Sequence, residues 1–145
     1  MELSKTTKLF LPRPSKTTTL PLYSSPLSAG FPSPADDYVE DTIDLNDLLI
    51  HNRPATYLVR VSGSSMEGAA ICDGDLLVVD ASLRPMHNKI VVAAVEGEFL
   101  VKRFWQDKGK TWLKAENPDY APLLINPDDN FTILGVVTGV VRQVK

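Results

Sequence analysis

The sequence has little cysteine, little histidine and no long hydrophobic run. Cys72 is the single cysteine among 145 residues, so no disulfide can form within the chain and a reducing compartment is expected. The two histidines, the cysteine and the turn-type pair Asp73 and Asp75 show no metal-ligand spacing, which predicts neither a metal nor another cofactor. No stretch approaches the roughly 20 apolar residues of a membrane span. We therefore expect a cytoplasmic protein.

The sequence also has no phosphate-binding glycine loop and no basic stripe. Residues 1–29 contain four basic side chains and one acidic side chain, whereas the rest of the chain carries an acidic excess. The first 29 residues are thus expected to be attracted to the acidic remainder. They are too weakly basic for nucleic-acid binding, so we expect no direct sequence-specific DNA binding and no membrane partner.

Proline breaks up the first quarter of the chain. Because proline interrupts helices, and serine and threonine fill the gaps, residues 1–36 are predicted to form an extended, mobile arm without a core of its own. A helix-turn-helix is not expected there, since it needs two uninterrupted amphipathic helices. The prolines of this arm are Pro12, Pro14, Pro21, Pro26, Pro32 and Pro34.

From Asp41 onward the pattern predicts a mostly β domain. A short helix is expected where leucines recur on one face after Asp44, with Asp41 or Asp44 as its cap. Turn signals such as Glu96-Gly97 separate the apolar runs that follow, and six short strands with hardly any helix indicate a curved antiparallel sheet or small barrel. The runs are Thr56–Val61, Leu76–Val79, Ile90–Val95, Phe99–Trp105, Thr111–Lys114 and Phe131–Val141.

Ser65 is the first candidate for chemistry. It lies in a serine-rich turn directly after a predicted strand, and Ser64 with Glu67 three residues later matches a capping box. The pattern predicts a helical turn with Ser65 among free backbone N–H groups, where an oxyanion formed in acyl transfer could be stabilised. A purely structural serine-rich turn is the alternative interpretation of the same residues.

Lys102 is the second candidate. Strand alternation places Leu100, Lys102 and Phe104 on one face, which predicts apolar surroundings for the lysine and Arg103 as the exposed charge of the neighbouring pair. Burial without a carboxylate lowers a lysine pKa, and a neutral lysine can take the proton of a serine hydroxyl. The alternative is a lysine that reaches solvent from a strand edge.

Other catalytic arrangements fit less well. A Ser-His-Asp triad would need a buried histidine near Ser65, but His51 follows the predicted helix and His87 lies in a turn. Cys72 allows a thiol-peptidase interpretation, although a small core residue explains it more simply.

Three motifs in order resemble the LexA/UmuD family of self-cleaving serine peptidases. In that family, a serine before methionine is the nucleophile and the lysine of a Val-Lys pair is its base; these positions are Ser65 and Lys102 here. The resemblance implies that the backbone N–H groups of Ser64 and Ser65 form the oxyanion hole. The motifs are Ser62-Gly-Ser-Ser65-Met66, Asp73-Gly-Asp75-Leu-Leu-Val-Val-Asp80 and Val101-Lys102-Arg103.

The resemblance also implies a cleavage site in the chain itself. Gly30-Phe-Pro-Ser-Pro-Ala-Asp-Asp-Tyr-Val-Glu is similar to the cleavage region of UmuD, and the family cuts between a small residue and glycine, which here is Ala29-Gly30. We therefore expect residues 1–29 to be a removable arm and residues 30–145 to be a peptidase domain of the LexA type. Two minimal side chains also let an extended peptide approach the nucleophile closely.

The short arm favours a UmuD-like role over that of a repressor, because a whole DNA-binding domain is not expected in 29 proline-broken residues. The resemblance then implies an SOS-response function: cleavage stimulated by a RecA filament on single-stranded DNA. The shortened homodimer would act with a UmuC-like Y-family translesion DNA polymerase. The alternative is a non-catalytic β-domain interaction module that binds polymerase or repressor partners. Phage-type repressors and signal-peptidase relatives are disfavoured.

Two positions depart from the family pattern. Ser64 stands where an acidic residue often precedes the nucleophile, and Asn88-Lys89 follows His87 where Gly-Asp is common. Both changes are expected to affect turn geometry more than catalysis.

Overall fold

The computed structural model describes residues 17–23 and 39–145. The described structure separates into two units, one ending at Leu48 and one running from Leu49 to Lys145. The expected cleavage bond Ala29-Gly30, and with it the expected boundary between arm and domain, lies outside the described residues.

The first unit contains a two-stranded antiparallel ladder and the start of a short helix. Strands β1 (Leu20–Tyr23) and β2 (Val39–Ile43) pair from Leu20 opposite Ile43 to Tyr23 opposite Val39. Helix α1 spans Leu45–Leu49, and Asp44 caps it, since its carboxylate accepts a 2.8 Å hydrogen bond from the N–H of Asn46. The predicted helix and its cap are confirmed, whereas the β1–β2 pairing carried no signal in the sequence.

The second unit is built on one seven-stranded antiparallel sheet. Its spatial order is β3-β4-β9-β5-β6-β7-β8, with β3 and β8 at the edges, so the sheet is open and not a closed barrel. The mostly β, antiparallel prediction is confirmed. The strands are β3 (Thr56–Arg60), β4 (Leu76–Asp80), β5 (Ile90–Val95), β6 (Glu98–Asp107), β7 (Lys110–Lys114), β8 (Leu123–Ile125) and β9 (Phe131–Val141), and short 3₁₀ turns occupy Arg53–Ala55 and Glu67–Ala69.

Two tight turns set the register of the central hairpins. Glu96 and Gly97 have φ values of 49° and 81°, and Lys108 and Gly109 have 49° and 73°. Two successive positive φ angles define the type I′ turn, whose twist matches that of the paired strands. The predicted Glu96-Gly97 hairpin is therefore confirmed, and a second hairpin of the same kind joins β6 to β7.

The sheet is apolar on both faces. Val91 and Val92 on β5 point to opposite sides, and each joins a different cluster of buried side chains. One cluster contains Val61, Met66, Ile71, Leu77, Val79 and Val92, and the other contains Val91, Ala93, Val95, Phe104, Leu113 and Val136. In the described part of the chain, no helix is long and apolar enough to cross a membrane.

Strand β9 requires a glycine at position 135, close to its neighbouring strand β4. The pairing of β9 shifts register once against β4 and once against β5, which marks two bulges. Gly135 lies between them, and a Cβ there would stand 2.5 Å from Cγ1 of Val79, a side chain with no exposed surface. The buried Val79 side chain, with the carbonyl oxygen of Asp80 at 3.2 Å, leaves no room for a side chain at position 135.

We expect Gly135→Ala to destabilise the fold by about 1–3 kcal/mol, because the added methyl overpacks the core against Val79. The free energy of unfolding from urea denaturation measures this effect. Thr132→Ala on the exposed edge of the same strand is the matched control and should change stability by less than about 0.5 kcal/mol. Equal stability of Gly135→Ala and wild type would contradict the close approach.

Candidate active site

Ser65 lies in the turn between β3 and β4. The adjacent Met66 is 2% exposed and belongs to the core cluster under the turn, whereas Ser65 is half-buried. The buried methionine fixes the backbone at Ser65 and leaves the serine side chain next to solvent.

The capping-box prediction at this turn is wrong. The 3₁₀ turn begins only at Glu67, with Met66 in the cap position and no side-chain cap bond. The Ser64 hydroxyl instead lies 3.4 Å from the Tyr120 hydroxyl. The Ser64 hydroxyl thus contacts the distant Tyr120 and not the N–H of Glu67, which the capping box would require.

The backbone N–H groups of Ser64 and Ser65 are available to a ligand. In the described part of the chain, the N–H groups of Ser64, Ser65 and Met66 donate no hydrogen bond to a protein acceptor, whereas those of Gly63 and Glu67, which flank these three residues, both do. Two adjacent unpaired donors are the arrangement that an oxyanion hole needs.

Asp75 and Arg142 anchor the base of the turn. Asp75 is 2% exposed, and its carboxylate accepts bonds from Cys72 N–H at 2.8 Å and from Arg142 at 2.6 and 2.7 Å. Arg142 also donates to the carbonyl of Ala70 at 3.0 Å, and Ala70 has a left-handed φ of 60°. These bonds lower the pKa of Asp75 to about 2, chiefly through the Arg142 side chain.

The segment between β7 and β8 holds the other end of the turn. The N–H of Glu116 donates to the carbonyl of Ser65 at 2.9 Å, and the carbonyl of Glu116 accepts from the N–H of Gly68 at 2.7 Å. The Asn117 side-chain amide donates to the carbonyl of Ser64 at 2.9 Å. Three hydrogen bonds therefore join this segment to the residues on and around Ser65.

Lys102 lies on β6 opposite the fully buried Val91. Its side chain is half-buried, and this burial lowers the pKa of Lys102 below that of an ordinary lysine, because desolvation disfavours the ammonium. Leu100 and Phe104 pack into the cluster on the same face. The apolar surroundings predicted from the strand pattern are confirmed.

Tyr120 contacts both Lys102 and Ser64, the residue before Ser65. The Lys102 ammonium lies 5.1 Å from the centre of the Tyr120 ring, and the Tyr120 hydroxyl lies next to Ser64. The structure therefore brings Lys102 and the serine turn to the same tyrosine. Among the hydrogen bonds of the described residues, none joins the Ser65 hydroxyl directly to Lys102.

Arg103 is not the freely exposed charge that the strand pattern suggested. Its side chain is 22% exposed and forms an ion pair with Glu116. Long-range pairing with a loop residue explains the difference, because alternation along a strand gives the face of a side chain and not its partner.

Other candidate groups are engaged elsewhere. The ring of His87 lies 4.4 Å from that of Trp105, and its Nδ1 accepts from the N–H of Gln106. Cys72 is partly buried.

An open cleft of about 490 Å³ lies against Gly68 and Tyr120. A second cleft, of about 510 Å³, lies beside Gly109 and Phe131, and neither cleft is lined by Ser65 or Lys102. The two volumes are nearly equal, so the side-chain contacts and not the volumes identify the site.

Glu116, Asn117 and Tyr120 were missed by the sequence reasoning. Asn117 lies in a turn, where its side-chain oxygen accepts the N–H of Asp119 at 3.0 Å. The same side chain also holds Ser64, 53 positions away. No sequence signal near the turn predicts this second contact, the bond from Asn117 to Ser64.

The chain belongs to the Peptidase S24-like family, whose model matches residues 21–138. This confirms the resemblance to the LexA/UmuD peptidases.

Several curated proteins are similar over most of the chain. Protein MucA of Salmonella typhimurium is 44% identical over 125 residues, which cover 86% of this chain and 85% of MucA. Protein ImpA of Shigella flexneri is 40% identical over 131 residues, with 86% and 85% covered. The LexA repressor of Pseudomonas chlororaphis is 40% identical over 81% of this chain but only 58% of its own length. MucA and ImpA are UmuD-like proteins.

We expect Asp75→Asn to lower the melting temperature at pH 7, because the amide loses the charge-assisted bonds from Arg142. The pKa of Asp75 is lower in the folded chain than in the unfolded chain, so its contribution is complete above about pH 4 and is lost as the pH falls towards 2.

Melting temperatures of wild type and Asp75→Asn, measured from pH 7 down to pH 2, test this expectation. The difference between them should shrink through that window. Asp107→Asn, at an exposed carboxylate on β6, is the control and should show no such convergence. A constant difference between wild type and Asp75→Asn would contradict the assignment.

Proposed function

We propose that this protein is a self-cleaving serine peptidase in which Ser65 is the nucleophile and Lys102 its general base. The substrate is the Ala29-Gly30 bond of the protein itself. The observation that carries the proposal is the convergence of Lys102 and the Ser64-Ser65 turn on Tyr120. Membership of the Peptidase S24-like family supports it.

The proposed chemistry divides peptide hydrolysis into two steps. Lys102 takes the proton of the Ser65 hydroxyl as the oxygen attacks the Ala29 carbonyl carbon. The backbone N–H groups of Ser64 and Ser65 receive the oxyanion. The C–N bond then breaks, Lys102 returns the proton to the amine of Gly30, and water later releases residues 1–29 from the serine ester.

Two physical features support these roles. A lysine can act as a base only when neutral, and the half-buried side chain of Lys102 has a lowered pKa. The scissile bond is tethered to the catalytic groups, so its effective concentration is high without a separate binding step.

The biological role that we propose is in SOS mutagenesis. A RecA filament on single-stranded DNA stimulates cleavage, and the shortened chain acts as a homodimer with a UmuC-like Y-family translesion DNA polymerase. The similarity to the UmuD-like proteins MucA and ImpA supports this role over that of a repressor. The protein acts in the cytoplasm and needs no cofactor for the hydrolysis.

We expect Ser65→Ala to abolish cleavage, with a loss of at least about 10³-fold, because the attacking oxygen is removed. Full-length protein is incubated at alkaline pH, and separately with RecA, single-stranded DNA and ATP. Wild type should yield a fragment whose N-terminal residue is Gly30, identified by N-terminal sequencing.

Two neighbouring serines serve as controls for this experiment. Ser62→Ala should cleave like wild type. Cleavage that persists in Ser65→Ala but is lost in Ser64→Ala would move the nucleophile by one residue. Wild-type cleavage in all three variants would reject the serines of this turn as the nucleophile, whereas no cleavage in wild type itself would favour the non-catalytic interaction module.

We expect the rate of unstimulated cleavage to rise about tenfold per pH unit and to level off above the pKa of Lys102, because only the neutral amine accepts the serine proton. Desolvation lowers this pKa, so the midpoint should lie below the ordinary lysine value of 10.5. Single-turnover rates between pH 6 and 11 measure it. Lys102→Arg, which stays protonated throughout, should remain inactive, and a flat profile in wild type would contradict the assigned base.

A further inference from the structure

Glu116 connects the serine turn to the strand that carries Lys102. Its backbone makes one hydrogen bond to Ser65 and one to Gly68, as described above. Its carboxylate pairs with the guanidinium of Arg103, the residue that follows Lys102 on β6. One residue thus contacts both elements that supply the proposed catalytic groups.

The guanidinium of Arg103 is itself held in place. Its Nη1 donates to the carbonyl of Asn88 at 2.8 Å while its Nε faces Glu116. Asn88 has a left-handed φ of 71°, and its N–H donates to the carbonyl of Phe104 at 2.7 Å. Asparagine tolerates this conformation better than most residues, which accounts for Asn88 at a position where the family often has glycine. The arginine therefore presents a fixed partner to Glu116.

The approach of Glu116 to the turn is close. A Cβ at position 68 would stand 2.6 Å from the carbonyl oxygen of Glu116 and 3.3 Å from its carbonyl carbon. The bond between the two backbones therefore requires glycine at position 68, since any side chain would push the turn and the segment apart.

We propose that the Arg103–Glu116 ion pair is a positioning device that fixes the Ser65 turn relative to Lys102. This inference rests on the proposed function, because it assigns a role in the same Ser65 and Lys102 chemistry. Among the hydrogen bonds of the described residues, none joins the pair to the hydroxyl of Ser65. The pair acts through the backbone of Glu116, so Arg103 and Glu116 are positioning residues.

The physical reason is that segment 115–122 belongs to no strand, so beyond the end of β7 at Lys114 its position relative to β6 depends on side-chain contacts. The side chains of the pair are 22% and 33% exposed, so removing the carboxylate leaves a partly desolvated guanidinium without its partner. The Glu116 side chain then no longer links the segment to β6, and the β6–β7 ladder, which ends at the Arg103–Lys114 pair, does not extend to Glu116. A displacement of about 1 Å between nucleophile and base is enough to slow a reaction about a hundredfold.

The test uses the full-length protein with two substitutions at one position. Glu116→Ala removes the acceptor, and we expect unstimulated cleavage to slow by about 10- to 100-fold. Glu116→Gln keeps a side-chain oxygen that can accept the Nε–H of Arg103, and we expect it to stay within about fivefold of wild type. Rescue by glutamine would show that a side chain of this size with a hydrogen-bond acceptor, and not the negative charge of Glu116, maintains the rate.

A second readout reports on Ser65 alone. A fluorophosphonate probe forms a bond between the serine oxygen and phosphorus and releases fluoride, with Lys102 taking the hydroxyl proton. The probe does not need the arm to reach the site. Labelling of Ser65 in Glu116→Ala should slow by the same factor as cleavage, at a temperature where circular dichroism shows every variant folded.

Matched controls define the outcomes. Glu98→Ala, at an exposed carboxylate of β6, should leave both rates at wild-type values. Gly68→Ala, which disrupts the backbone side of the same contact, should slow both rates. Wild-type cleavage and labelling in either Glu116→Ala or Gly68→Ala would overturn the proposal, as would an equal loss in Glu116→Ala and Glu98→Ala.

This failure is distinguishable from failure of the proposed function. If Ser65→Ala is inactive while Glu116→Ala reacts at the wild-type rate, only the positioning role is rejected. If Ser65→Ala cleaves normally, the catalytic assignment is rejected whatever Glu116→Ala does. A lower melting temperature in Glu116→Ala with unchanged rates in the folded state would show a structural role only, and would also overturn the proposal.

Discussion

The candidate site depends on the hydrogen bonds that tie the segment from Glu116 to Tyr120 to the Ser65 turn. The turn and Lys102 come from separate parts of the chain, and this segment touches both. Each bond to the turn is modest by itself, but Glu116 and Asn117 bind consecutive carbonyls, those of Ser65 and Ser64. Consecutive bonds fix the direction of the turn as well as its distance, which a nucleophile requires more than it requires binding energy.

The sheet makes this convergence possible through the register of one hairpin. The type I′ turn at Lys108-Gly109 fixes the pairing of Arg103 with Lys114. Glu116 follows Lys114 by two positions and therefore starts on the same face as Arg103, within reach of its guanidinium. A one-residue slip in the hairpin would send the two side chains to opposite faces. A turn sequence far from the site therefore determines whether the ion pair can form.

Sequence patterns predicted the strands and hairpins of this fold because those signals are local. The positive φ values at Glu96-Gly97 follow from a two-residue turn between apolar runs, and the half-burial of Lys102 follows from alternation along β6. The capping box failed because the Ser64 hydroxyl faces Tyr120 instead of a nearby N–H. The exposure of Arg103 was misjudged for the same reason, since its partner Glu116 is distant in sequence. Local sequence patterns predict on which face of a strand a side chain lies, whereas tertiary packing determines which residue that side chain contacts.

Hydrogen bonds hold the turn that carries Ser65 at both ends, whereas backbone N–H groups in the middle of the turn have no protein acceptor in the described structure. The Asp75–Arg142 pair anchors one end, and Glu116 anchors the other. Between them, the N–H groups of Ser64 and Ser65 have no protein acceptor in the described structure. Solvent can satisfy these donors because both residues are only half-buried. Rigid ends keep the donors from collapsing onto an acceptor of the turn itself, which is the preorganisation that stabilisation of an oxyanion requires. The Asp75–Arg142 pair and the backbone of Glu116 thus hold the turn in a form that leaves these N–H groups open to solvent or to a ligand.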